Sequence, residues 1–362
     1  MPGHEASTVA IVPIRKIEIH PLKQRYDHTM RLLFITAILL ICSAQAQTTS
    51  FDIYTIKLPE AISYYDNQFS GLQVSGEKLY LLSECRIQDR REAVIYAVPL
   101  RELDRAIKDT AYQPSFEKIM INGLDTLAAM MKQANQDYEG LEAFVIKDDV
   151  VYLSVETNTP SPLAYILKGR LKNNTIYLSK KYLPVAKPLQ PDGSHIYNAA
   201  FESMMLFKKK LVLFFEYNSF AYNYAYTINT SLSTNTIDSI TMQGLPFRIT
   251  DIAAAGKNNF TALNVFYKGG GRDTVYRVAG QDSINNKLIK INGEYEDYSR
   301  LIILHYSKKE FTWKPLWEFP VEYRGYNWEG IAKYKNGYFV INDKYTRNRP
   351  YSSTLLYLRQ AR

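Results

Sequence analysis

The chain has 362 residues, 44 Lys and Arg against 36 Asp and Glu, a net charge of +8 and two cysteines. The positive excess is scattered, its densest run being Lys208–Lys210. Nucleic-acid binding wants a basic stripe with aromatic platforms, so nucleic acid is not an expected partner. A second cysteine inside a leader-like segment excludes an intrachain disulfide in the mature chain, whose stability must then come from its core.

Residues 1–29 read as an upstream extension and are assigned no structure. Met30 and Arg31 open a basic start, Leu32–Cys42 forms an apolar core, and Ser43-Ala44-Gln45-Ala46 is a small-residue finish. Residues 30–46 therefore read as a secretory signal, with a mature chain over 47–362 that is periplasmic or secreted. The apolar run is too short for a transmembrane span. Ile41 is bulky where lipid attachment at Cys42 would want a small residue. Cys85 has no histidine near it in sequence and reads as a half-buried strand-end residue rather than a catalytic thiol.

From Phe51 onward the pattern is strand after strand. One short phrase recurs five times: FSGLQV at Phe69–Val74, YEGLEAF at Tyr138–Phe144, FESMML at Phe201–Leu206, ITDIAA at Ile249–Ala254 and WEGIAK at Trp328–Lys333. Each is followed by a polar turn and a second apolar run: KLYLLSE, VVYLSVE, LVLFFE, FTALN and GYFVIND. Third strands are expected at AVIYAVPL, LAYILKGRL, YAYTINTSL and LIILHYS, and fourth strands at FEKIMI, TIYLSKKYLP, TIDSITM and WKPLWEFP. Four strands per repeat is the composition of a propeller blade. The fold class is therefore all-β, a single propeller of five blades. Six is the alternative if an insertion hides a degenerate unit. FDIYTIKLP at Phe51–Pro59 would supply the outer strand missing after STLLYLRQ and close the ring. The uneven spacing implies insertions, one helical over about 100–138 (TLAAMMKQANQ) and one loop-like over about 268–297. His305, within LIILHYS, is expected to be a packed strand residue.

In a blade the start of the first strand and the end of the second lie at the same end of the hairpin. One ring would then comprise Ser70, Glu139, Glu202, Asp251 and Glu329. A second would comprise Glu84, Glu156, Glu216, Asn264 and Asn342, with Asp343 adjacent. So many carboxylates at one narrow mouth cannot all stay ionised without a counter-charge. Oxygen ligands with no Cys or His suit a hard cation, Ca²⁺ before Mg²⁺, rather than zinc. The competing expectation is that these acids pair with Arg86, Arg248, Lys344 or Arg347 and merely pin blades together.

The five phrases, in their order, resemble the phytase-like family, also described as the esterase-like activity of phytase family. The corresponding stretches are FSGLQVSGEKLYLLSECR, YEGLEAFVIKDDVVYLSVE, FESMMLFKKKLVLFFE, RITDIAAAGKNNFTALN and NWEGIAKYKNGYFVIND. Departures are Asn264 where the family has an acid, Glu84-Cys85 where Asp is usual, and Ser203 in place of Gly. The resemblance implies an exported β-propeller that hydrolyses a phosphate or carboxylic ester.

On that expectation the rings supply the metal ligands, with Glu139 and Glu202 also catalytic. Arg86, Arg248, Lys344 and Arg347 clamp the substrate, and His195 is a proton donor or an ordinary loop histidine. Two alternatives stand beside it. One is a binding or scaffold propeller holding a glycan, peptide or protein, for which the tyrosines of Tyr217–Tyr226 would offer contact surface. The other is a lactonase-type calcium propeller, which Asn264 and Asn342 would suit. On each of these readings the chain is expected to be a monomer.

Overall fold

A computed structural model describes residues 49–64, 67–84, 93–158, 161–190, 192–217, 223–233, 237–268, 283–343 and 352–361. The expected leader and extension lie outside these residues, as do Cys85, Arg86, Lys344 and Arg347. Among the described residues no helix is long and apolar enough to cross a membrane.

The β-branched and aromatic runs become strands, and their burial tells how each is covered. Strand β1 (Phe51–Ile56) precedes a first antiparallel run of β2 (Phe69–Ser75), β3 (Lys78–Ser83), β4 (Val94–Pro99) and β5 (Glu117–Asn122). The second run is β6 (Tyr138–Lys147), β7 (Val150–Thr157), β8 (Leu163–Lys172) and β9 (Thr175–Ala186). The third is β10 (Ser203–Phe207), β11 (Lys210–Phe214), β12 (Asn223–Asn229) and β13 (Asp238–Met242). The fourth begins with β14 (Arg248–Ala254) and β15 (Asn259–Phe266). A small hairpin of β16 (Lys290–Ile291) and β17 (Glu294–Tyr295) intervenes before β18 (Tyr298–Ser307) and β19 (Glu310–Glu318). The last run is β20 (Trp328–Tyr334), β21 (Gly337–Asn342) and β22 (Leu355–Gln360), with β1 antiparallel outside β22 from Phe51↔Gln360 to Ile56↔Leu355.

Strands β7 and β21 are buried almost throughout, whereas β19 exposes much of its length. That gradient is what a strand covered on both faces, as against one at an outer edge, should show. The inner strands touch in the cyclic order β2, β6, β10, β14, β20 and back to β2. Five apolar clusters fill the spaces between neighbouring runs. Leu82, Ile95, Leu153 and Leu167 lie between the first and second runs, and Phe69, Leu81, Phe339 and Leu355 between the last and the first. This is the radial packing of a β-propeller. Helices Leu100–Lys108 and Leu124–Gln133 flank β5, the second where the sequence places its helical segment. His305 is not packed: it is exposed on β18, with Nδ1 2.7 Å from Asn259 Oδ1.

Every recurring phrase except the third carries a β-bulge, at Phe69/Gly71, Tyr138/Gly140, Ile249/Ile252 and Trp328/Gly330. A bulge inserts one residue and re-aims its side chain. Strand β6 has a second, at Leu141/Ala143. These bulges decide which acids reach the axis.

Candidate functional site

At the end of the channel where the inner strands begin lies a cavity of about 150 Å³. Ser70, Glu84, Glu142, Glu156, Asn198, Glu202, Arg248, Asn327, Glu329 and Asp343 all line it. Glu216 lies directly behind, fully buried. The slot logic thus brings Glu84, Glu156, Glu202 and Glu329 to one place, with Ser70 and Asp343.

Two members of the expected rings are replaced. Glu139 does not line the cavity; Glu142 does, because the second bulge of β6 turns an extra residue to the axis. The fourth phrase is read one residue out of register. Ile249 pairs with Asn264 as Trp328 pairs with Asn342, so Thr250, not Asp251, corresponds to Glu329. A one-residue slip changes the face. Asp251 accordingly lies deeper in the channel and accepts Leu72 N at 3.1 Å, Ile331 N at 2.7 Å and Ile252 N at 2.7 Å. Thr250 and Ser70 hold neighbouring inner strands together through Thr250 Oγ1 to Trp328 O (2.7 Å) and Ser70 Oγ to Leu141 O (2.6 Å).

Asn264 and Asn342 are fully buried but engaged elsewhere. Asn264 Nδ2 donates to Pro246 O and Arg248 O, and its Oδ1 accepts Arg300 Nε at 2.7 Å. Asn342 Oδ1 accepts the Thr354 amide. His195 sits in a loop, bridged to Leu189, and is not part of the cavity lining. Tyr217 is buried and Tyr226 packs edge-on against Phe201, so these tyrosines of the expected contact cluster serve the core.

Arg248 is the principal counter-charge. Its guanidinium reaches Glu329 at 2.7 Å, Glu202 at 3.5 Å and Glu216 at 3.7 Å, and donates to Asn327. Lys187, which the sequence reading passed over, is buried nearby and donates to Thr157 O at 3.0 Å. Its signal was weak, a single lysine between Ala186 and Pro188. Burial lowers its affinity for a proton, opposed by Glu156, Glu216 and Glu139.

Charge on the acids exceeds what these two cations offset. Burial, then repulsion from Glu156, Glu84 and other glutamates, drives Glu142 well above the usual carboxylate range. Burial, then Glu202, pushes Glu156 up to about 8. Glu329 is raised by burial against the pull of Arg248. Burial raises both Glu202 and Glu216; the hydrogen bond between their carboxyl groups then lowers the first and raises the second, so Glu216 keeps the proton between them.

Three buried oxygens, Glu142 Oε1, Glu156 Oε1 and Glu202 Oε2, have no hydrogen-bond partner among the described residues. Gly140 makes room for two of the acids: a Cβ there would stand 2.5 Å from Glu84 Cγ and 2.8 Å from Glu142 Oε1. An all-oxygen donor set with unmet acceptors fits a hard cation. Among the described residues, however, no group of three or more His, Cys, Asp or Glu is gathered tightly enough to hold a metal ion as it stands.

No family model matches the chain, the phytase-like one included, and no curated protein does. Solved structures give distant matches. The endosialidase of phage phi92 shares 7% identity at a TM-score of 0.44, over 87% of this chain and 70% of its own. An α-L-arabinofuranosidase from Clostridium thermocellum shares 10% at 0.43, over 75% and 81%. The sialidase of Trypanosoma rangeli shares 8% at 0.36, over 80% and 55%. At such values nothing of their activities passes to this chain, and the propeller assignment rests on the strand pairings and packing above.

Proposed function

We propose that the chain is an exported hydrolase of phosphate or carboxylic esters, as the phytase-like phrases imply, with its site at the acidic mouth of a five-bladed ring that β1 closes. The observation behind this is the surplus of buried acid. Six carboxyl groups line one small cavity with Arg248, Glu216 and Lys187 are buried close by, and among the described residues three of the carboxyl oxygens have no hydrogen-bond partner. Structural pinning needs acids matched to bases, and among the described residues the acids here outnumber Arg248 and Lys187. Pairs of carboxyls whose proton affinities are pushed apart are the usual basis of acid–base chemistry at neutral pH.

Glu156, with its proton retained up to about pH 8, is suited to protonate a leaving group. Glu202, the less basic partner of Glu216 and close to Arg248, is suited to accept a proton from water. Glu84 and Glu142, which converge beside Gly140, are the residues that would hold Ca²⁺. When bound, the ion would offset the charge of an anionic ester and stabilise charge developing on it. Arg248 orients the acids rather than clamping substrate, since its donors already serve Glu202, Glu216, Glu329 and Asn327.

The test is turnover of p-nitrophenyl phosphate, phytate and p-nitrophenyl acetate by the full chain, with Ca²⁺ and with a chelator. Hydrolysis of at least one ester, faster with the ion, is expected. Protein that binds Ca²⁺ calorimetrically yet turns over none of them would sink the proposal. One observation favours a second reading, a scaffold for a glycan, peptide or protein: Arg248 alone ties the third, fourth and fifth runs together. Asn264 and Asn342, on which a lactonase would lean, are held by backbone partners.

A further inference from the structure

The same five inner strands enclose a second cavity further along their length. It is about 310 Å³, twice the acidic one, and shares no lining residue with it. Leu72, Phe144, Met204, Met205, Ile252 and Ile331 are its larger apolar lining residues. Cavities that bury small organic ligands begin at about this size and have mainly apolar walls with a few placed polar groups. Methionines let such a wall adapt to its occupant.

Three charged side chains line it: Asp251, Lys147 and Lys333. Asp251 already accepts three backbone amides, so its oxygens are engaged within the protein. Lys147 is exposed at the rim and lies 3.5 Å from Asp148. Lys333 differs from both. It is half-buried with its ammonium 4.4 Å from the centre of the Tyr338 ring, and it has no carboxylate partner among the described residues. Burial alone lowers its proton affinity. An ammonium group drawn out of water without an anion is held at a cost that an incoming anion would remove.

The geometry points to a binding site for a medium-chain carboxylate, its head on Lys333 and its tail between Phe144, Met204 and Ile252. A neutral amphiphile would gain the apolar wall but not the ion pair, and a cationic one would face two lysines. The site is separate from the acidic mouth and needs no turnover there.

Decanoate, decan-1-ol and decyltrimethylammonium are titrated into the full chain by calorimetry. Saturable one-to-one binding of decanoate is expected, about tenfold or more tighter than decanol, the usual worth of a charge-assisted contact. Lys333→Gln should erase that preference while leaving decanol unchanged, and Lys333→Arg should keep it. Ala253→Phe, which fills the cavity, should abolish both. Glu156→Gln should alter none of these values, so the outcome is independent of ester hydrolysis. No saturable binding, equal affinity for all three amphiphiles, or undiminished decanoate binding by a folded Lys333→Gln variant would each overturn the assignment.

Discussion

Arg248 is the residue on which the acidic mouth balances. It is buried on the fourth run and faces glutamates on the third and the last, so its removal strands largely buried carboxylates without their counter-charge. Deleting one partner of a buried charge network typically costs about 3–5 kcal/mol. Arg248→Met should therefore lower Tm substantially at pH 7, and an unchanged Tm would show that the acids are already neutral. Glu156→Gln works in the opposite sense. It removes a charge from an overcrowded space, so Tm at alkaline pH should rise slightly. Ester turnover should fall by about 10²–10⁴-fold, the usual worth of a general acid. A scaffold would show the stability change alone. At this scale the sequence reading found Glu84, Glu156, Glu202, Glu216 and Glu329 from their slots. It missed Glu142 because alternation assumes a regular strand, and β6 has two bulges.

The glycine in three of the phrases is an element-level device. A Cβ on Gly330 would stand 2.8 Å from Leu72 Cγ and 3.0 Å from the Gly71 carbonyl carbon, a backbone atom that cannot swing aside. The first and last runs approach this closely because their inner strands meet at the axis. Gly330→Ala should cost about 1–3 kcal/mol, the usual penalty of overpacking. Chemical denaturation would check it; a variant as stable as the parent would mean the two strands can part without loss. Strand positions in the repeating runs were legible, since apolar runs bounded by Gly, Asn and Asp are local signals. The segment expected to be loop-like, however, carries a helix at Ser283–Ile289 and the β16–β17 hairpin. The register of β14 was not legible: ITDIAA offers Asp251 as the obvious acid, and only its pairing with β15 shows that Thr250 holds the slot.

Across the whole molecule the buried acids make stability depend on pH in an unusual direction. Glu142, Glu156, Glu202, Glu216, Glu329 and Asp251 all hold protons more tightly folded than unfolded, chiefly through burial. Their contribution is complete below the ordinary carboxylate range, about pH 4. It is lost as pH rises toward about 8, where Glu156 and Asp251 titrate in the folded chain. Tm should be higher near pH 5.5 than near 8.5, and added Ca²⁺ should narrow the gap by taking the protons' place. A melting temperature that climbs with pH in the absence of calcium would contradict this.

Repeating phrase, turn and apolar run determined the all-β fold and its order of strands without any coordinates. They also marked the axis end where most of the acids would gather. These are local properties, set by side-chain periodicity and turn chemistry within a dozen residues. The tertiary structure alone decided that Glu142 displaces Glu139 and that Asp251 ties inner strands together. It alone showed that Arg248 answers three acids and that a lysine-rimmed apolar cavity lies beyond them. Bulges, close strand approach and partners from distant runs settle such matters, because a carboxylate's chemistry depends on what surrounds it, and its sequence neighbours are not what surrounds it here.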